Sequence, residues 1–310
     1  MANTGFLSTT ELDFNALKGN LKTFLKNQNA LKDYSFEGSN LAVLIDLLAY
    51  NTYVNSHYLN MVASEAFLDT AQLKESIVSH AKELNYTPRS RASARVSGFI
   101  TISPTNNPDI ITIPKFYPIR ATYANGGRTY NFVTDRAYTI KNQGGNYISP
   151  NITFYEGEIA TEVFTVSNTQ NGVNSYGSYI YRLSSPAIDI DSIQVTVQES
   201  ATDTTETVFN RSDNLFGVTK DSNVFFVEGY GSNQYQIVFG NDVIGKALKN
   251  GNVVTVNYRD TLGDDANGLT TFTAASKIGG YSVIGVTTTD SFSYVVSERE
   301  PVEDIKYNAP

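Results

Sequence analysis

The chain carries two imidazoles and no thiol in its 310 residues, so any chemistry it performs must be built mainly from carboxylates, hydroxyls and amines. Both imidazoles, His57 and His80, fall in the first third. The remainder therefore has no histidine for a Ser-His-Asp triad or a His-based zinc site. The absence of cysteine excludes disulfides, thiolate zinc sites and thiol nucleophiles together. With no nucleophile paired to either histidine nearby in sequence, both read as structural. Asp189-Ile190-Asp191 places two carboxylates on one face of a strand, a geometry that can serve calcium or a glycosidase pair. No further acidic ligand follows at a fixed spacing, and the expected role is the solvated start of a strand. Gly263-Asp264-Asp265-Ala266-Asn267-Gly268 resembles part of a calcium loop but lacks the alternating Asp/Asn pattern and the closing Glu, so a turn with Asx bonding is expected. Gly229-Tyr230-Gly231 has no third glycine for a dinucleotide fingerprint, and there is neither a Walker lysine nor an S-x-x-K with a second motif. No catalytic residue, metal ligand or cofactor is expected, and the chain is expected not to be an enzyme.

A hydrophobic content of 41% over this length supports two or three domains with real cores. The formal charge of −8 repels a phosphate backbone and the 23 Lys and Arg are dispersed, so nucleic acid is not an expected partner. The nearest basic cluster, Arg89, Arg91 and Arg95, reads as a linker with solvated charges. No stretch approaches the roughly 18 uninterrupted apolar residues of a membrane span, and membrane insertion is not expected. The 20 Tyr and 17 Phe suit broad β faces and polar-tipped interfaces.

The pattern changes near residue 90. Before it, Phe14, Leu17, Leu21 and Leu25 recur at helical spacing, then Leu41, Leu44, Ile45 and Leu48, then Leu73, Ile77, Ala81 and Leu84. Thr10 or Asp13 can cap the first helix, Gly38-Ser39 breaks and caps before the second, Thr70 precedes the third and Pro88 ends it. The second helix is expected to run to about Val62. After residue 92, short runs of Val, Ile, Thr, Tyr and Phe alternate with Gly, Asn, Pro and Asp, which predicts strands at 96–102, 110–113, 129–133, 137–140, 152–155, 161–166, 193–198, 224–227, 235–239, 253–258 and 281–287. Stretches 168–179 and 199–213 read as linkers or surface loops. Asn250-Gly251 predicts a type I′ hairpin joining the strand at 235–239 to the one at 253–258, with Gly240, Gly245, Gly251 and Gly268 defining turns. The fold class is α+β, an N-terminal helical domain followed by antiparallel β-sandwich or barrel-like modules. The division is a helical assembly domain at 1–92, a β module at 93–185, a second at 186–292 and a tail at 293–310. The charged tail is expected either to begin a further domain or to dock on a partner.

Three blocks together resemble a known family: FEGSNLAVLIDLLAYNTYVNSHYLNMVASEAFLDTAQL from Phe36, IDIDSIQVTVQES from Ile188 and FGNDVIGKALKNGNVVTVNYRDTLGDDANG from Phe239. A fourth, from Ile113, matches a family hairpin but has Lys115 and Phe116 where a Pro-Ala-Gly-like turn is usual. The chain is similar to the baseplate wedge proteins of contractile-tailed bacteriophages, the baseplate J-like family. The resemblance implies an architectural role in the virion after assembly in the host cytoplasm, with copies of the chain and other wedge proteins as partners. It also implies a homodimer within a larger hetero-oligomeric ring. The belt Tyr50, Tyr53, Val54, His57, Tyr58 and Met61 is the candidate partner interface, the other reading being intramolecular core against the first helix. A β-rich tail module binding a receptor or glycan is the alternative function.

Overall fold

The computed structural model describes residues 13–27, 39–167 and 177–310. Thr10, Gly38, the start of the Phe36 block and nearly all of the 168–179 stretch lie outside them. The chain divides into two compact units, residues 1–85 with 302–310, and residues 86–301.

The first unit holds four helices among the described residues: α1 (Phe14–Lys26), α2 (Asn40–Glu65), α3 (Lys74–Glu83) and α4 (Val302–Asn308). Asp13 caps α1, its Oδ1 accepting from the Asn15 and Ala16 amides, and the Ser39 hydroxyl accepts from Ala42 N–H at the start of α2. Each satisfies amides that the first helical turn leaves without a carbonyl. The third helix departs from expectation at both ends. Thr70 turns back to the Ser64 carbonyl, and it is the Glu65 carboxylate that receives the Gln72 and Leu73 amides. The helix closes at Glu83 without help from Pro88, because Asn85 takes a left-handed φ of 58°. Ile305 of α4 is fully buried and α4 packs on α3, so the tail completes the helical unit.

The second unit is a β-structure. Its strands are β1 (Arg95–Ser103), β2 (Ile110–Ile113), β3 (Pro118–Thr122), β4 (Tyr130–Thr134), β5 (Tyr138–Lys141), β6 (Tyr147–Ile148), β7 (Ile152–Glu156), β8 (Glu158–Thr165), β9 (Ile180–Arg182), β10 (Ile188–Gln198), β11 (Thr207–Arg211), β12 (Val224–Tyr230), β13 (Gln234–Phe239), β14 (Val253–Asp260), β15 (Thr271–Ala274) and β16 (Ser282–Thr288). One sheet runs β15-β3-β4-β7-β1-β16 with β6 also on β1, the other β8-β14-β10-β11-β12-β13-β9, and β2 pairs with β5 alone. The two large sheets are mostly antiparallel and curl into a half-barrel and a near-barrel. The edges of the second sheet meet through side chains, with Phe164 of β8 4.5 Å from Tyr181 of β9 and Glu162 accepting from both the amide and the hydroxyl of Ser184.

Three expectations change here. The strand at 235–239 does not form a hairpin with the one at 253–258: β13 pairs with β12 and β9, while β14 lies between β10 and β8. Only Gly251, at φ 89°, is left-handed in the Lys249-to-Asn252 turn, whereas a I′ turn needs two such residues. The 199–213 stretch contains β11, whose Phe209 joins the core. The sheets also ignore a sequential division at 185. The first takes residues 95–156 together with 271–288, and the second is the continuous segment between, residues 158–260. Each sheet covers its own apolar cluster, centred on Phe132, Phe154 and Tyr117 in one and on Phe225, Phe239 and Tyr258 in the other, with no residue shared.

Candidate assembly surface

Helix α2 spans 26 residues, about 39 Å at 1.5 Å per residue. Its buried positions are small or polar: Ala42, Ala49, Ser56, Asn60 and Ser64, with Ile45 the one large apolar side chain among them. The large apolar residues point elsewhere. Val43, Leu47, Leu59 and Val62 are each exposed by 58% or more, and Leu44 and Leu48 are exposed as well. Leu44 and Leu48, which recur with Ile45 at helical spacing in the sequence, thus face outward while Ile45 is buried. A helix that is apolar around most of its circumference ordinarily lies buried, so this surface is unusual for an isolated one.

The six candidate residues all lie on this helix. Tyr50, Val54, His57, Tyr58 and Met61 share a face through i, i+4, i+7, i+8 and i+11 spacing, with Tyr53 on its flank. Tyr50, His57, Tyr58 and Met61 are exposed, and Tyr53 and Val54 are half-buried. Val43 and Leu47 extend the same face toward the N-terminus of the helix, and Leu44, Leu48, Leu59 and Val62 form a second row beside it. Those rows were visible in the sequence as surplus leucine and valine, since no single stripe needs so many.

The other residues that could do chemistry are committed to structure. His80 Nε2 donates to the Glu65 carbonyl at 2.8 Å, tying α3 to the end of α2. Asp189 does not form a solvated strand start: it is 3% exposed, and its Oδ2 accepts from Arg259 Nη2 at 3.1 Å and from the Ser93 amide and hydroxyl. Asp191 points away and pairs with Arg211, so the two carboxylates do not converge. The pairing register of β10 on β14 shifts between Asp189 and Gln194, which turns neighbouring side chains to different faces. Asp264 and Asp265 are exposed on a 3₁₀ turn, Gly263–Ala266, and Asn267 Oδ1 accepts from Val295 N–H. The arginines of the expected linker are also engaged: Arg91 donates to the Leu262 carbonyl and Arg95 lies over the Tyr294 ring. Among the described residues no group of three His, Asp or Glu side chains is arranged to hold a metal ion, and no helix is long and apolar enough to cross a membrane.

Of the four turn glycines, Gly245, Gly251 and Gly268 have φ of 77°, 89° and 79°. Gly240 is present for a different reason, because a Cβ there would stand 2.2 Å from the Gly245 carbonyl carbon. Phe116, in the turn where a glycine-like residue was expected, adopts φ 61°, and the Lys115 ammonium lies over its ring.

The helical unit thus carries an outward apolar helix and is followed by two β modules. Residues 13–86 match the family model described as baseplate wedge protein gp6-like, helical domain. The baseplate wedge protein gp6 of Enterobacteria phage T4 is 30% identical over 297 residues, which cover 88% of this chain and 42% of that protein. The chain thus spans less than half the length of this relative. A chain from the cryo-electron microscopy structure of the anti-feeding prophage (AFP) baseplate, 6-fold symmetrised, aligns over 98% of this chain and 60% of its own length at 11% identity, with a TM-score of 0.30. That score is too low to establish a common fold.

Proposed function

We propose that this chain is a structural component of a contractile-tail baseplate wedge, located in the virion, and that it assembles through α2 with a second copy of itself and with other wedge proteins. The observation that carries the reading is the outward apolar surface of α2 inside a segment matching a wedge-protein helical domain. Its role is mechanical, and no cofactor or reaction enters it. Helix pairs bury such rows by inserting side chains of one into gaps of the other, and aromatic anchors near the centre dominate the binding energy. Tyr50, Tyr53, Val54, His57, Tyr58 and Met61 are assigned to that contact. Val54→Asp or Tyr58→Asp should abolish self-association and co-purification with wedge partners, read by light scattering and pull-down, while the β modules keep their spectrum. Assembly at the unmodified level in both variants would refute the reading.

A further inference from the structure

The chain enters and leaves the second β module through two touching segments. Gly157, φ 131°, lies between β7 and β8, and a Cβ there would meet the Asp260 carbonyl at 2.6 Å. Next to it Glu156, itself 2% exposed, accepts from the Thr261 hydroxyl and the Leu262 amide. Residues 158–260 are therefore inserted into the first module through one paired crossing. Beyond that crossing, no apolar cluster among the described residues joins the two modules. What joins them is polar, and much of it comes from residues 86–93, the segment that leads into β1. Thr87 donates to the Val227 carbonyl, Tyr235 donates its hydroxyl to the Pro88 carbonyl, and Ser90 accepts from Ile190 N–H. Ser93 meets Asp189 and Arg259, whose guanidinium also stands 4.4 Å over the Tyr155 ring. A second segment, through Glu300, holds this strap in place by accepting from the Tyr86 hydroxyl and the Arg89 amide.

Interfaces between modules that are polar and lack a shared core permit relative motion, and hinges use a few residues at element ends. We propose that the second β module moves as one body about the Gly157–Asp260 crossing and that residues 86–93 are the strap that fixes its position. A cleft of about 280 Å³ beside the crossing, lined in part by Asn131, Glu158 and Ala187, leaves room for the turn. The strap issues directly from the helical unit's boundary at residue 85, so a pull at that boundary reaches the strap's bonds before it reaches either sheet. The inference does not rest on what α2 binds.

The chain has no cysteine, so Thr112→Cys and Val208→Cys, both at exposed positions of different modules, can carry a pair of spin labels in the full-length protein. With the strap intact, the pulsed dipolar distance distribution should show one narrow population. Tyr235→Phe with Ser90→Ala removes two strap bonds without stranding a charge and should add a second population, with the methyl chemical shifts of both modules unchanged. A single unaltered population in that variant would overturn the proposal. Joint loss of both modules' native shifts would overturn it too, since the module would then not be a separate body.

Discussion

The guanidinium of Arg259 lies 3.1 Å from the Asp189 carboxylate with side-chain exposures of 7% and 5%. Taking both charges from water is costly, and the pair persists because Ser93, the Asp191 amide and the Tyr155 ring engage its remaining polar capacity. Removing one partner leaves the other as an uncompensated buried charge. Arg259→Met should therefore lower the unfolding free energy by about 3–5 kcal/mol, whereas Asp191→Asn, at an exposed pair with Arg211, should cost under about 1 kcal/mol. Chemical denaturation of the two variants checks the contrast. Local pattern shows Asp189-Ile190-Asp191 as two equivalent carboxylates. The residue that distinguishes them lies 70 positions away, and nothing in the spacing of the motif encodes it. Gly240 makes the same point. Its turn-like setting was legible, but the reason for glycine is the approach of another backbone, which only the folded loop reveals.

At the scale of the element, α3 depends on a carboxylate from the helix before it. Burial pushes the Glu65 carboxyl up, but hydrogen bonds from Gln72, Ser76 and Leu73 and the charge of Lys306 outweigh that and hold it below the ordinary glutamate value of 4.5. A group whose folded-state pKa is depressed stabilises the fold above its unfolded value and loses that contribution as pH falls through the folded one. The amides of α3 should accordingly exchange faster with solvent as the pH drops below about 4.5, beyond the intrinsic change in exchange chemistry. Glu65→Gln keeps an acceptor oxygen and removes the titration, so it should flatten that dependence; hydrogen exchange of residues 74–83 in both proteins measures it. The caps at Asp13 and Ser39 were readable because the capping side chain adjoins its own helix. Glu65 was not, since it reaches across a loop to amides seven and eight residues on. Most strands were legible as runs of Val, Ile, Thr, Tyr and Phe, but five were not expected: β6 and β9 carry too few residues to show a period, and β3, β11 and β15 bury only one or two side chains each.

At the scale of the molecule, the nesting of one β module inside another sets an unequal dependence between them. Strand pairs such as β1 with β16 and β3 with β15 close the first module across more than 150 residues, a separation no local pattern can announce, which is why a sequential division was expected instead. While the second module is folded, Gly157 and Asp260 are adjacent and this closure is already made. Were it unfolded, the first module would have to close a flexible loop of about 100 residues, at an entropic cost near 4 kcal/mol from the (3/2)RT ln n relation. The reverse does not hold, because residues 158–260 are continuous and carry their own core. Phe239→Ala, at a site 1% exposed, should cost about 3–5 kcal/mol in the second module and also reduce hydrogen-exchange protection in β1, β3 and β4. Phe132→Ala, fully buried in the first module, should lower protection there by a similar amount while leaving β10, β12 and β14 at their original level. Equal losses in both modules from both substitutions would mean that they fold as a single cooperative body, and the polar junction at Asp189, Arg259 and Glu156 would then have to be strong enough to couple two separate cores.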